Sequence, residues 1–555
     1  MAAAFNFASH IISCYYSDMA KEPLNDTKVL IADNLPGVCD DILKRAGIKV
    51  EKRPGLSPDE LKKKIKDYEG VIVRSEAKLT GDVLSSAVKL RAICRAGVGI
   101  DNVDVPSATK KGIVVMNTPE GNSISTAEHT IGFIFALARK LSQAHQSLKS
   151  GQWERKKFVG VQISGKTLGI IGMGRIGREV AKRAAALGLK VVAYDPYILP
   201  EIAEQYPVHK ANKLEDLLKQ SDFVTVHVPL NNSTRNMITK REFDVMKKGV
   251  SLINCARGGI VSEKDLYDAL VSGKVSGAAL DVFEEEPPKG NKLLELEQVI
   301  ATPHLGAQTR EAQEAVAVEA AEQMVDALSG RGFRNTINLP VSSLEEFNQL
   351  RPFMDFTERM GSFLMQLTDC GVRSVTLIYA GDIAKKNTRL VTDSFLVGLL
   401  KPCMDEGANL VSAPILAMEK GMEVSVTTSS TCGNFTNLIT ARVKTDRTES
   451  FVNGAIFDRG DARVVSIDGY NVEAILEGTM LVVMAQDRPG LIGSIGTLLG
   501  DRNINIARMT FGRRDIAGKT ISILIINVDG PVSTDLTKEI EGLKSVDSAK
   551  LVHLS

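Results

Sequence analysis

The chain has 555 residues, too many for one hydrophobic core and enough for three or four domains. Lys and Arg number 68 against 67 Asp and Glu, and the resulting net charge of +1 argues against nucleic acid or a membrane surface as partner; no window approaches the roughly 18 apolar residues of a membrane span. Seven scattered cysteines without CxxC or Cys/His spacing argue against a disulfide framework or a zinc site, so no metal is expected and the compartment is read as cytoplasmic.

Residues 1–25 lack the charged start of a secretory signal and the arginines of a transit peptide, and read as a disordered extension. Strand patterns at Lys28-Val-Leu-Ile-Ala, Gly70 to Arg74 and Ala92 to Arg95 alternate with amphipathic helices, which predicts a parallel sheet. One long helix pattern spans Ser125 to Ser150. The apolar run Leu168 to Ile171 then leads into Gly172-Met-Gly-Arg-Ile-Gly177 and a helix-like segment from Arg178. This is a GxGxxG at a strand-to-helix turn, where glycines let a pyrophosphate approach the backbone and the helix N-terminus favours its charge. Gly172, Gly174, Arg175, Ile176 and Gly177 are therefore expected to hold a dinucleotide. A second strand, Lys190 to Tyr194, ends in Asp195, where a carboxylate would accept from a ribose diol and repel a 2′-phosphate, favouring NAD.

Further strands are predicted at 223–227, 250–254, 278–281 and 299–302, and a helix at 310–329. That helix is expected to return to the first sheet, giving a discontinuous substrate domain (26–120 with 308–338) around a dinucleotide domain (121–307), with the cleft between the two lobes. Reactive residues follow the later strands: Arg257 in Asn254-Cys-Ala-Arg-Gly-Gly259, Glu286 in Asp281-Val-Phe-Glu-Glu-Glu-Pro287, and His304 in Thr302-Pro-His-Leu-Gly-Ala307. Singly, each has an ordinary reading as an ion-pair, solvated or turn residue. Together, an arginine that grips a carboxylate and a histidine with an acid partner suit oxidation of a secondary alcohol beside a carboxylate, with a nicotinamide as oxidant.

These motifs, with Arg95-Ala-Gly-Val-Gly-Ile-Asp-Asn-Val-Asp104, Asn117-Thr-Pro-Glu-Gly-Asn-Ser123 and Trp153 to Phe158, resemble the D-2-hydroxyacid dehydrogenase family from about residue 28 to the C-terminus. Within it they resemble the long branch that oxidises 3-phosphoglycerate to 3-phosphohydroxypyruvate with NAD, the entry to serine. The resemblance implies that Arg257 holds the substrate carboxylate, that His304 is the acid/base supported by Glu286, and that Asp281 helps hold the nicotinamide end, with Cys255, Ala256, Gly306 and Ala307 also beside the cofactor. A phosphorylated substrate needs more cations. Arg74, Arg95 and Arg155, with Gly97 and Asn122, are the candidates. Arg155-Lys156-Lys157 is read either as a solvated basic face or, by the resemblance, as reaching a neighbouring subunit's cleft, which implies a homodimer or homotetramer. Val98 and Val228 depart from the threonines of animal relatives.

Residues 340–475 mix helix and strand patterns as a noncatalytic α+β domain; Arg442, Lys444 and Arg447 are a candidate anion patch there, with a solvated face the favoured reading. Residues 478–555 follow a βαββαβ order and resemble an ACT domain. Asp487 and Asn505 match effector positions of serine-sensitive relatives, although Ala485 stands where His or Tyr is frequent. The alternative is a plain oligomerisation module. For the whole chain the alternatives are another D-2-hydroxyacid dehydrogenase, acting on glycerate or 2-hydroxyglutarate, and an NAD-sensing corepressor-like protein.

Overall fold

The computed structural model describes residues 24–197, 205–341, 343–368, 371–404, 408–457, 461–516, 519–530 and 532–554. The extension read at 1–25 lies almost wholly outside them.

The first sheet has five parallel strands, Lys28–Ile31, Lys49–Lys52, Gly70–Val73, Ala92–Arg95 and Val114–Asn117, in the order second, first, third, fourth, fifth. The strands Gly70–Val73, Ala92–Arg95 and Val114–Asn117 are apolar runs buried almost throughout, as expected of a parallel sheet between helices. The helix Arg310–Leu328, capped by the Thr309 hydroxyl, packs on the helix Gly37–Arg45 and on the strand Ala92–Arg95. Past it the chain runs along the sheet edge, where Ile337 donates to Val115 O and the Asn338 side chain accepts from Val115 N.

The second sheet has seven parallel strands. Thr167–Ile171 is flanked by Lys190–Tyr194 and His209–Lys210 on one side, and by Phe223–Val226, Val250–Asn254, Val275–Leu280 and Val299–Ala301 on the other. Strand order reverses between Thr167–Ile171 and Phe223–Val226, which opens a crevice at their carboxyl ends. The single helix expected over 125–150 is two, Ser123–Arg139 and Leu141–Lys149. They are separated at Lys140, whose left-handed backbone (φ 52°) closes the first helix.

A third sheet orders its six strands as Glu423–Ser429, Val372–Gly381, Asn437–Thr445, Glu449–Ile456, Ala462–Ile467 and Tyr470–Ala474, with the first pair parallel and the rest antiparallel. The fourth is antiparallel: Ile506–Ile516, Lys519–Val528, Gly478–Gln486 and Val546–Leu554, with helices Leu491–Asp501 and Thr534–Glu541. One apolar core runs continuously from Val29 and Ile31 of the first sheet through Phe347 of the helix Leu344–Leu367 to Tyr379, Val482 and Val552. The fourth sheet therefore buries one face against the domain before it.

Candidate active site

The glycine loop follows the strand Thr167–Ile171, and Gly172 takes a left-handed φ of 98°. A Cβ at Gly172 would strike the backbone of His227, one at Gly177 would strike Gly172 O, and one at Gly174 would meet nothing within 4 Å. Two glycines thus shape the turn, and the third opens onto space at the N-terminus of the helix Arg175–Ala186, whose first N–H groups have no intrahelical acceptor. Asp195 is tied to this loop: Met173 N donates to Oδ2 at 2.8 Å and Tyr197 N to Oδ1 at 2.9 Å. Its carboxylate is fixed, with lone pairs left for a ribose. Glycine turn, free amides and anchored carboxylate together fit a dinucleotide of the NAD type. Asp195→Ala should weaken NAD binding and narrow the preference for NAD over NADP, read as the ratio of kcat/KM for the two cofactors. An unchanged ratio would remove Asp195 from the ribose site.

Beside the loop lies a cleft of about 390 Å³ between the two lobes. Of the residues expected at cofactor or substrate, Gly174, Arg175, Ile176, Cys255, Ala256, Asp281, Gly306 and Ala307 line it, with Asn122, Arg257 and His304; Val98 and Val228 do so too. Arg175 reaches across it to Glu120 at 3.5 Å.

Arg257 is built by its own turn. The Asn254 side chain bridges Ala256 N and Arg257 O, and Arg257 Nη1 donates to Ala256 O at 2.7 Å. The guanidinium lies so close to Gly99 of the other lobe that a Cβ there would push it aside, and Nε pairs with Asp101 at 3.4 Å. Gly97 is likewise filled by the Arg95 guanidinium, whose Nε donates to Arg74 O at 3.0 Å. Burial, then the charges of Arg257 and Arg74, lower Arg95 to about 10, while Asp101 and Asp33 oppose them. Three cations held together with so little compensation favour an anion among them.

The same cleft holds His304, Nδ1 at 2.9 Å from Glu286 Oε2. Burial would raise the Glu286 carboxyl, but the His304 hydrogen bond and charge, the Phe283 amide and Arg257 hold it below the usual range. With Nδ1 engaged, Nε2 is the ring nitrogen left for a substrate. Asp281 is 1% exposed and accepts from Thr302 Oγ1, Leu305 N and Gly306 N. Burial opposes its charge, and these donors with His129 bring it below the usual range. His227, behind the glycine loop, is lowered to about 3 by burial and is neutral; its Nε2 lies 3.0 Å from Thr225 Oγ1.

Not every expected residue is brought here. Arg155 is exposed and does not line the cleft, and neighbouring Lys157 pairs with Glu297. Arg442 pairs with Glu449 and stacks on Phe451, and Arg447 lies in the turn past the strand rather than on its face. Asp487 pairs with Arg513 at 2.8 Å, while Asn505 donates to Asp529 at 2.7 Å. These two expected effector residues do not form one site within a chain. Asp487 N meets Thr520 O and Asp529 N meets Asn505 O, at opposite ends of one strand, about 30 Å apart at 3.3 Å per residue. Asp101, Glu120 and His129 were missed because each meets its partner only across the fold, with no local motif.

Comparison with known proteins follows the same layout. The family model of the D-isomer specific 2-hydroxyacid dehydrogenase NAD binding domain matches residues 131–306, that of the D-3-phosphoglycerate dehydrogenase intervening domain 349–468, and that of the ACT domain 479–544. A D-3-phosphoglycerate dehydrogenase of Methanocaldococcus jannaschii is 44% identical over 95% of this chain and 100% of its own, and that of Bacillus subtilis 40% identical over 91% and 95%. Among solved structures, TT0316 of Thermus thermophilus (35% identity, TM-score 0.52) matches 56% of this chain and 100% of its own. A glyoxylate reductase of Paecilomyes thermophila (29%, TM-score 0.53) matches 56% and 98%.

Proposed function

The chain belongs to the D-3-phosphoglycerate dehydrogenases of the D-isomer-specific 2-hydroxyacid dehydrogenase family, and we propose on that footing how its residues oxidise 3-phosphoglycerate to 3-phosphohydroxypyruvate with NAD. The observation that carries the reading is Arg257 and His304, the latter paired with Glu286, on one cleft beside the glycine loop, with Arg95 close enough to feel the charges of both Arg257 and Arg74.

The loop Gly172–Gly177 and Asp195 would hold the dinucleotide, with Cys255, Ala256, Asp281, Gly306 and Ala307 toward the nicotinamide. When bound, NAD supplies the acceptor for the hydrogen on C2. Arg257 takes the substrate carboxylate, displacing Asp101. His304 Nε2 takes the C2 hydroxyl proton, and Glu286 stabilises the imidazolium that forms. Arg74 and Arg95 face the phosphate with Gly97 and Asn122, and in a homodimer the exposed Arg155 would complete the neighbouring copy's cleft. Incubation with NAD and 3-phosphoglycerate should yield NADH and 3-phosphohydroxypyruvate. Absence of turnover would overturn this reading in favour of a sensor or a different hydroxyacid.

Among the described residues no helix is long and apolar enough to cross a membrane; the cytoplasm, read from the scattered thiols, is part of the proposal. So is the division into units at 26–120 with 308–338, 121–307, 340–475 and 478–555. The ACT domain marks the chain as a binder of small molecules, and we take L-serine as its effector, held between Asp487 of one copy and Asn505 of another. Removing the domain is a poor test, since its sheet shares a core with residues 347–379. Calorimetric titration of L-serine should instead show binding together with a lowered NADH rate, both lost in Asp487→Ala. If the full chain shows neither at millimolar serine, the domain only assembles subunits.

A further inference from the structure

The loop that carries His304 hangs on one buried carboxylate. Asp281 O accepts from His304 N at 3.0 Å, Oδ1 from Leu305 N at 2.7 Å and from the Thr302 hydroxyl, and Oδ2 from Gly306 N at 2.7 Å. His304 itself sits at a φ of 55°, a left-handed conformation that a residue with a side chain keeps only where its surroundings impose it. The groups around the Asp281 carboxylate can be enumerated. From the strand end beside it comes Cys255, whose thiol is pushed up to about 12 by burial, a Thr130 hydrogen bond opposing and the Asp281 charge adding to the rise. The helix Ser123–Arg139 contributes His129, with Nε2 at 3.4 Å from Oδ1.

His129 has no part in the mechanism above. Its Nε2 also lies 3.3 Å from Thr302 Oγ1. Because the Thr302 hydroxyl spends its proton on Asp281, its oxygen can only accept from His129. Nε2 must therefore carry a hydrogen shared between threonine and carboxylate. The ring is fixed by packing on Phe133, centroids 4.3 Å apart, and is three-quarters buried.

We propose that His129 is a positioning residue for the reaction: its Nε2–H, shared by Thr302 Oγ1 and Asp281 Oδ1, holds the 302–306 loop in the shape that aims His304 into the cleft. The inference rests on His304 being the acid/base. A protonated Asp281 must donate from one oxygen and accepts only weakly there, so whatever favours its neutral form weakens its hold on Leu305 N or Gly306 N and loosens the loop. Loss of the His129 donor does that, and the effect grows as pH falls.

The experiment is the pH profile of kcat and kcat/KM for 3-phosphoglycerate in wild type, His129→Leu, His129→Gln and Thr302→Val, with folding checked by thermal melting. His129→Leu should lower kcat about tenfold at neutral pH with KM little changed, and its acid limb should fall more steeply than that of wild type. His129→Gln, whose amide N–H reaches the same place, should restore most of the rate and the wild-type limb. Thr302→Val should reproduce the Leu profile, and it decides the matter if His129→Leu does not fold. A His129→Leu or Thr302→Val profile that superimposes on wild type overturns the proposal, as does a Gln variant no better than Leu. Should His304→Ala keep full activity, it is the acid/base reading that has failed.

Discussion

Replacing His304 by Ala is expected to lower kcat by about 10²-fold or more while leaving NAD affinity nearly unchanged, because a positioned general base contributes on the order of 10²–10⁴. His304 Nδ1 lies 2.9 Å from Glu286, and its other nitrogen is free to face the cleft it lines. The partner gives the prediction a sign. Glu286 is held as a carboxylate beside the ring, and its charge favours the imidazolium. Glu286→Gln removes that charge, so the proton should leave the ring more readily and the acid limb of kcat/KM should move to lower pH. Steady-state profiles of both variants check this. An unmoved limb in Glu286→Gln would separate the carboxylate from the proton transfer.

Arg257→Lys should cost about 2–4 kcal/mol of transition-state stabilisation, roughly 30- to 900-fold in kcat/KM, although the charge is kept. The reason is the fork. In place, Nη1 is spent on Ala256 O and Nε faces Asp101, while Nη2 occupies the space beside Gly99 that a Cβ would take. A lysine ammonium matches none of this as one rigid unit and cannot grip a carboxylate bidentately. NAD binding, which rests on the glycine loop and Asp195, should barely change. Normal turnover by Arg257→Lys would assign the carboxylate to another cation, with Arg95 the first candidate.

The chemistry-bearing residues were legible because each belongs to a short motif directly after a strand, where a parallel sheet must place its loops. Gly172–Gly177, Arg257 and His304 all meet at the crevice for that reason. What escaped depends on contacts made across the fold. Nothing local to Asp101 indicates that it faces Arg257 from the other lobe, and His129 occupies an ordinary helical position until that helix is laid beside Thr302 and Asp281. The break at Lys140 was hidden because a lysine in the left-handed region carries no glycine to signal it. Asp487 and Asn505 each fit a family position, but whether they meet is set by the register of Lys519–Val528, which keeps them at opposite ends. Residue type and place after a strand pointed to the crevice, whereas long-range geometry decided the pairings.

Arg257 beside a histidine base, with Arg95 and Arg74 close to it, suits a substrate bearing both a carboxylate and a phosphate. The direct measurement compares kcat/KM for 3-phosphoglycerate with that for D-glycerate, which lacks only the phosphate, under saturating NAD. Losing charge-assisted contacts to two guanidinium groups predicts a preference of about 10²-fold or more for 3-phosphoglycerate. Equal values for the two substrates would leave the cluster without a phosphate to bind.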